Sequence, residues 1–383
     1  MSVNTDSTSD ATLDYELTSE ERLDLEESSA IPQVPIRFKN QDFDVRGLVD
    51  RLNENHILIP RIGCNHDNLE MNPFQRGFVW TNRQMDSFIE SLLLEYPVPG
   101  IFLVKQQIDR NLVVLDGQQR LETLRRFYSG IRGNKVYKLN LDASSKYDKL
   151  SYNELSDSDK RTLDDTYIES TIISASTDDS SKASEAIYDV FARLNSGGTH
   201  LSAHEIRMAL YNGGLMELID VENQRSNWRS LYSSNTPNKR FRDHELILRI
   251  IALYIDESEY RKPLAKFLNR FADKYRSGKE SQITDAIQKF EQACEVLYAS
   301  KLSNVFSATG NAQVNNAKAD SIMVGLMSAF ATNHSVSPAG AVLAINMLNT
   351  DTKYRDAISQ STSDDLQVHL RIQLAREAFS NAG

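Results

Sequence analysis

The spacing of apolar positions changes twice along this chain. Residues 1–35 are rich in Ser, Thr, Asp and Glu and end in IPQVP, a composition that predicts a mobile acidic tail. Within it, LTSEERLDLEE also suits a short acidic helix lying on a partner, from Ser19 through Arg22 to Glu27. From 36 to 212, short apolar runs alternate with helical spacing. This predicts a helix near 45–54, a strand at HILIP (56–60), and a helix over 82–95 with Ile89, Leu92 and Leu93 on one side. Strands follow at GIFLVK (100–105) and LVVL (112–115), then a helix from Gln118. Next come a polar insert around 140–165, a strand at YIESTIIS (167–174) and a helix at 182–194. From 213 strand character is lost. HELILRIIALYI (244–255), QITDAIQKFEQACEVLYASKL (282–302) and ADSIMVGLMSAFA (319–331) are spaced as helices. Pro237, Pro263 and Pro338 fall where a helix starts or a loop runs. The expected architecture is α+β: a domain at 36–212 with a small mixed sheet, then an all-α domain at 213–383.

Composition narrows the partners. Residues 1–30 hold nine acids against Arg22 alone, a net of −8 out of the chain's −10, so the other 353 residues carry only −2. A near-neutral folded part does not suit a dedicated non-specific DNA binder, although a local basic patch is compatible with it. The two cysteines, Cys64 and Cys294, have no metal-like spacing and fit a reducing compartment. No signal-peptide core and no apolar run of membrane length are present, so the expected location is the cytoplasm, with no membrane partner.

The chemistry concentrates in LVVLDGQQRLETLRRFYSG, 112–130. Here Asp116, Gly117, Gln118, Gln119 and Arg120 fall between a buried strand and a helix N-terminus, where unpaired amides and the helix dipole favour an anion such as phosphate. Gly117 lets the backbone turn tightly. The forked guanidinium of Arg120 suits phosphate oxygens, and the Gln118 and Gln119 amides can donate to phosphate or orient a water. Asp116 can hold Mg²⁺ through water, accept a proton, or fix Arg76 by a salt bridge. The bland alternative makes Asp116 a helix N-cap and Arg120 a structural partner.

Two further motifs accompany it. NPFQRGFVW (72–80) places Gln75 and Arg76 just before the helix from Asn82; read alone, it is a surface turn anchored by aromatics. VFARLNSGGTHLSAHEIRMAL (190–210) has a glycine-rich turn at Asn195 to Gly198, then Ser202 and Glu205 in capping-box spacing; read alone, it is a helix–loop–helix corner.

In this order the three motifs make residues 43–212 resemble the N-terminal domain of GmrSD-type restriction systems, a family with a DGQQR signature and a ParB/sulfiredoxin-like nucleotide-binding fold. The resemblance implies NTP binding, often with hydrolysis, in defence against modified or foreign DNA. It carries Gln75 and Arg76, then Asp116 to Arg120, then Asn195, Gly198 and Glu205 into the nucleotide site. The chain departs from the family in lacking a histidine-rich nuclease centre. Asp243–His244 opens an apolar helix and reads as core or cap, and His200 and His204 straddle a loop–helix boundary rather than sharing a face. There is no GxxxxGK[ST] loop.

Three readings follow: an NTP-hydrolysing defence component, a non-catalytic nucleotide switch, and a DNA-nicking nuclease. The lack of a carboxylate cluster for two metals counts against the last. The expected partners are an NTP, a nuclease or DNA-modification protein, DNA through the helical domain, and a second copy of the chain.

Overall fold

A computed structural model describes residues 34–59, 80–106, 111–177, 179–194, 203–238, 240–307, 313–332 and 334–382, and everything below refers to these. The chain divides into two compact units, residues 31–191 with 208–210, and a helical unit comprising 192–207 and residues from 211 onward.

The first unit is built on a five-stranded mixed sheet. Its strands are β1 (Ile36–Asn40), β3 (Ile57–Leu58), β4 (Ile101–Lys105), β5 (Leu112–Asp116) and β9 (Ser170–Ala175), ordered β1-β9-β4-β5-β3. The β1–β9 and β4–β5 pairs are antiparallel, and the β9–β4 and β5–β3 pairs are parallel. The helices α1 (Val45–Asn53), α2 (Asn82–Leu93), α3 (Gln118–Ser129) and α4 (Asp157–Asp165) pack on one another. They share a core with Ile101, Leu103, Val114 and Ile172 of the sheet. Val104, Val113, Leu115 and Ile173, which alternate with these, are buried too. Burial on both faces explains why β4 and β5 read as unbroken apolar runs.

Capping sets where the helices begin. Asp44 caps α1 by accepting from the Gly47 amide. Thr81 opens α2 with a capping box: Gln84 Oε1 accepts from the Thr81 amide at 2.8 Å, and Thr81 Oγ1 accepts from the Gln84 amide at 3.3 Å. The apolar stripe of α2 is Met85, Phe88, Ile89, Leu92 and Leu93. The expected helix over 82–95 stops at Leu93, since Glu95 turns to φ 57°.

Three sequence expectations change in detail. The single strand expected at 167–174 is two: β8 (Tyr167–Ile168) pairs with β2 (Phe43–Asp44), and β9 joins the main sheet. The strand expected at 56–60 pairs only through Ile57 and Leu58. The polar insert contains α4, capped by Ser156. A small hairpin of β6 (Ile131–Arg132) and β7 (Lys135–Val136) follows α3. The chain is thus α+β, with a small mixed sheet near its start and helices afterwards.

After α5 (Ser180–Leu194) and α6 (Ala203–Leu210), the chain is almost wholly helical. Its helices are α7 (Gly214–Asn223), α8 (Ser226–Leu231), α9 (Arg242–Asp256), α10 (Leu264–Lys274), α11 (Ser281–Ala299), α12 (Asn316–Ala331), α13 (Pro338–Thr350), α14 (Thr352–Ala357) and α15 (Asp365–Ser380). Helix α12 is the axis of the unit, buried on all sides from Ala317 to Met327. Gly325 allows α15 to approach: a Cβ there would sit 2.8 Å from the Ala375 backbone. Asp320 of α12 bridges Arg249 of α9 (2.6 Å) and Arg371 of α15 (2.8 Å), and all three are buried.

Candidate anion site at the β5–α3 junction

Strand β5 ends at Asp116, and the chain turns into α3 through Gly117 at φ 94°, in the left-handed region. No side chain caps α3, and no acid occupies its first turn. The first intrahelical bond runs from the Leu121 amide to the Gly117 carbonyl at 2.9 Å, so the amides of Gln118, Gln119 and Arg120 precede the ladder. Such a terminus carries the positive end of the helix dipole and favours an anion. Asp116 is therefore not the N-cap that the bland reading made it.

Glycine is required at 117 for space as well as for φ. A Cβ on Gly117 would lie 2.4 Å from Ile101 Cγ2, so β4 packs directly against the turn. This close approach also positions Arg120. Its Nη2 donates to the Gly100 carbonyl at 3.0 Å and to Asp116 Oδ2 at 2.9 Å. The guanidinium is mostly buried, 12% exposed, whereas the Asp116 side chain is 66% exposed. Arg120 Nε is buried with no hydrogen-bond partner among the described residues. Buried donors of this kind are costly and usually satisfied.

The two glutamines are held differently. Gln118 Nε2 donates to the Val114 carbonyl at 3.3 Å, folding its amide back along β5. Gln119 Oε1 accepts from the Trp80 amide at 3.3 Å, tying the start of the α2 segment to α3. Thr123 Oγ1 donates to the Gln119 carbonyl at 2.7 Å, and the Trp80 ring packs edge-on against Phe88 at 5.4 Å.

Among the sequence-predicted site residues, Asp116, Gly117, Gln118, Gln119 and Arg120 come together at this junction. Gln75, Arg76, Asn195 and Gly198 lie outside the described residues. Glu205 is described in α6, buried in the helical unit, with Oε2 3.9 Å from Arg240 Nη2. For a Mg²⁺ ion the junction offers one carboxylate, Asp116, already sharing Oδ2 with Arg120. That donor set fits Mg²⁺ held through water and phosphate oxygens rather than in an all-protein cage. No group of three His, Cys, Asp or Glu suited to a metal occurs among the described residues.

Sequence reasoning read Asp243–His244 as core or cap but did not find the partners that make it a buried polar cluster of the helical unit. His244 Nδ1 meets Asp243 Oδ1 and its Nε2 meets Asp220 Oδ1, both at 3.0 Å. Asp243 Oδ2 also accepts from Arg229 (2.7 Å) and Asn223 (3.0 Å). Burial pulls the His244 imidazole down, but its bonds to Asp220 and Asp243 outweigh this and leave it above the usual histidine value. Burial pushes Asp243 up, yet His244 and Arg229 hold it well below the usual carboxylate range. The nearby His204, fully buried beside Arg207, is held neutral by burial first and by that guanidinium second. The Asp243–His244 dipeptide belongs to this packed network, as a core role requires.

The uncapped helix terminus, the glycine turn and the anchored arginine thus meet at the end of one strand of a small mixed sheet. Residues 59–212 match the family described as GmrSD restriction endonuclease, N-terminal domain. The matched stretch is less than half of the chain. No curated protein and no solved structure matches the chain. No described helix is long and apolar enough to cross a membrane.

Proposed function

We propose that this protein binds a nucleoside triphosphate at the β5–Gly117–α3 junction and hydrolyses it, as a component of a prokaryotic restriction or anti-phage defence system. The observation that carries the reading is the uncapped α3 terminus beside a mostly buried Arg120 whose Nε lacks a partner. In this reading the α3 amides and Arg120 receive the phosphate oxygens. Asp116 keeps Arg120 aligned, and Gln118 and Gln119 orient a water or donate to the phosphate. Mg²⁺ on Asp116 would neutralise phosphate charge when bound. Cleavage of DNA falls to a nuclease partner.

One observation favours a second reading, a nucleotide switch without turnover: the single carboxylate of the junction is already engaged by Arg120. Phosphate release from each of the four NTPs, with Mg²⁺ and purified protein, separates the two. Hydrolysis above background that disappears in Arg120→Ala and Asp116→Ala supports the first reading. Nucleotide binding without release supports the second. The absence of both binding and release overturns the site.

A further inference from the structure

The helical unit carries a concentrated positive strip that the proposed nucleotide chemistry does not use. Residues 261–279 hold seven basic residues, Arg261, Lys262, Lys266, Arg270, Lys274, Arg276 and Lys279, against one acid, Asp273. The apolar residues of α10 (Leu264, Phe267, Leu268 and Phe271) are all buried. Its outward row is Lys266, Arg270 and Lys274, one helical turn apart. Lys262 is balanced by Asp364 at 2.9 Å, and Lys274 by Asp256 at 2.8 Å and Glu259 at 3.7 Å. Arg261, Arg270, Arg276 and Lys279 have no carboxylate within salt-bridge reach among the described residues, and Arg261, Arg270 and Lys279 are exposed. A face that offers only charge fits a polyanion rather than an apolar peptide.

The same chain contains such a polyanion. Nine acids stand against one base within residues 1–30, and at helical spacing Glu16, Glu20, Asp24 and Glu27 fall on one face. Thirty residues reach up to ~100 Å when extended, ample to span a unit of this size. The tether also gives the segment a high effective concentration at any site it can reach. From this complementarity of charge and the available length, we infer that the acidic segment 1–30 docks on the basic face of α10 and the turn after it. It thereby occupies a surface that other polyanions would otherwise take.

Zero-length carbodiimide cross-linking of the full chain at low salt, read by peptide mass spectrometry, tests this. Expected are amide links from acids of 1–30 to Lys266, Lys274 or Lys279, reduced about tenfold at roughly 0.5 M salt, where screening is short-ranged. The double variant Arg270→Glu with Lys279→Glu, altered only at exposed positions, should lose these links and keep its melting temperature. Deleting residues 1–30 should leave melting unchanged and raise affinity for heparin at low salt about tenfold or more. Links spread evenly over all exposed lysines, or links insensitive to the double variant, would overturn the proposal. So would heparin affinity that ignores the deletion. Mixing isotopically light and heavy chains checks the occupant: links between chains would assign the face to a second copy's tail and refute docking within one chain.

Discussion

Replacing Gly117 by alanine probes the geometry on which the proposed anion site rests. Two costs are expected. Holding an L-residue at φ 94° costs about 1–2 kcal/mol. The added methyl, 2.4 Å from Ile101 Cγ2, cannot be relieved by a surface rotation because Ile101 is 1% exposed, and forced overpacking costs about 1–3 kcal/mol. The sum is about 2–5 kcal/mol. Gly130 supplies the control. It ends α3 at φ 73°, but a Cβ there would meet nothing within 4 Å, so Gly130→Ala should show only the backbone cost. Because the chain has two compact units, one global unfolding curve would mix them. Urea unfolding should instead be followed by hydrogen exchange in the peptide spanning β5 and α3. Equal losses for the two variants, within about 0.5 kcal/mol, would show that β4 does not press on the turn and would refute the steric argument.

Three further outcomes are expected. Arg120→Lys should weaken nucleotide binding about 10- to 100-fold by calorimetry, because an ammonium cannot serve Gly100, Asp116 and a phosphate in one plane; unchanged affinity would remove Arg120 from ligand contact. His244 has a raised folded-state pKa, so its contribution is full below the unfolded value near pH 6.5 and is lost as pH rises through the folded one. The stability gap between wild type and His244→Gln should therefore shrink as pH rises above about 6.5, and a gap that widens would reverse the assignment. Asp320→Asn leaves the buried Arg249 and Arg371 without their counter-charge and should cost about 3–5 kcal/mol in urea midpoints; a loss below about 1 kcal/mol would show the triad is hydrated.

The parts of the fold legible in the sequence are those whose burial follows a period. Strand β5 reads clearly because Val113, Val114 and Leu115 are all buried, and α2 because its stripe repeats every three to four residues. Strand β1 escaped because four of its five residues are exposed and it is held by hydrogen bonds to β9 rather than by an apolar face. At the site, the residues of the glycine turn were legible but the Asp116–Arg120 pair was not. Those two residues belong to different elements, and only the φ of Gly117 brings them within 2.9 Å. The Asp320 triad left no local signal, and the His244 cluster only its Asp243–His244 dipeptide, since the other partners come from distant helices.

The strand order has a consequence for how this protein is made. β4, β5 and α3 are neighbours in sequence, so the β5–α3 junction can assemble as soon as that stretch leaves the ribosome. The sheet's outer half cannot, because Ile36 waits for Ala175 before β1 finds its place. Until then a nascent chain exposes one flank of β4 as an unpaired edge, a hazard for association between neighbours on a polysome.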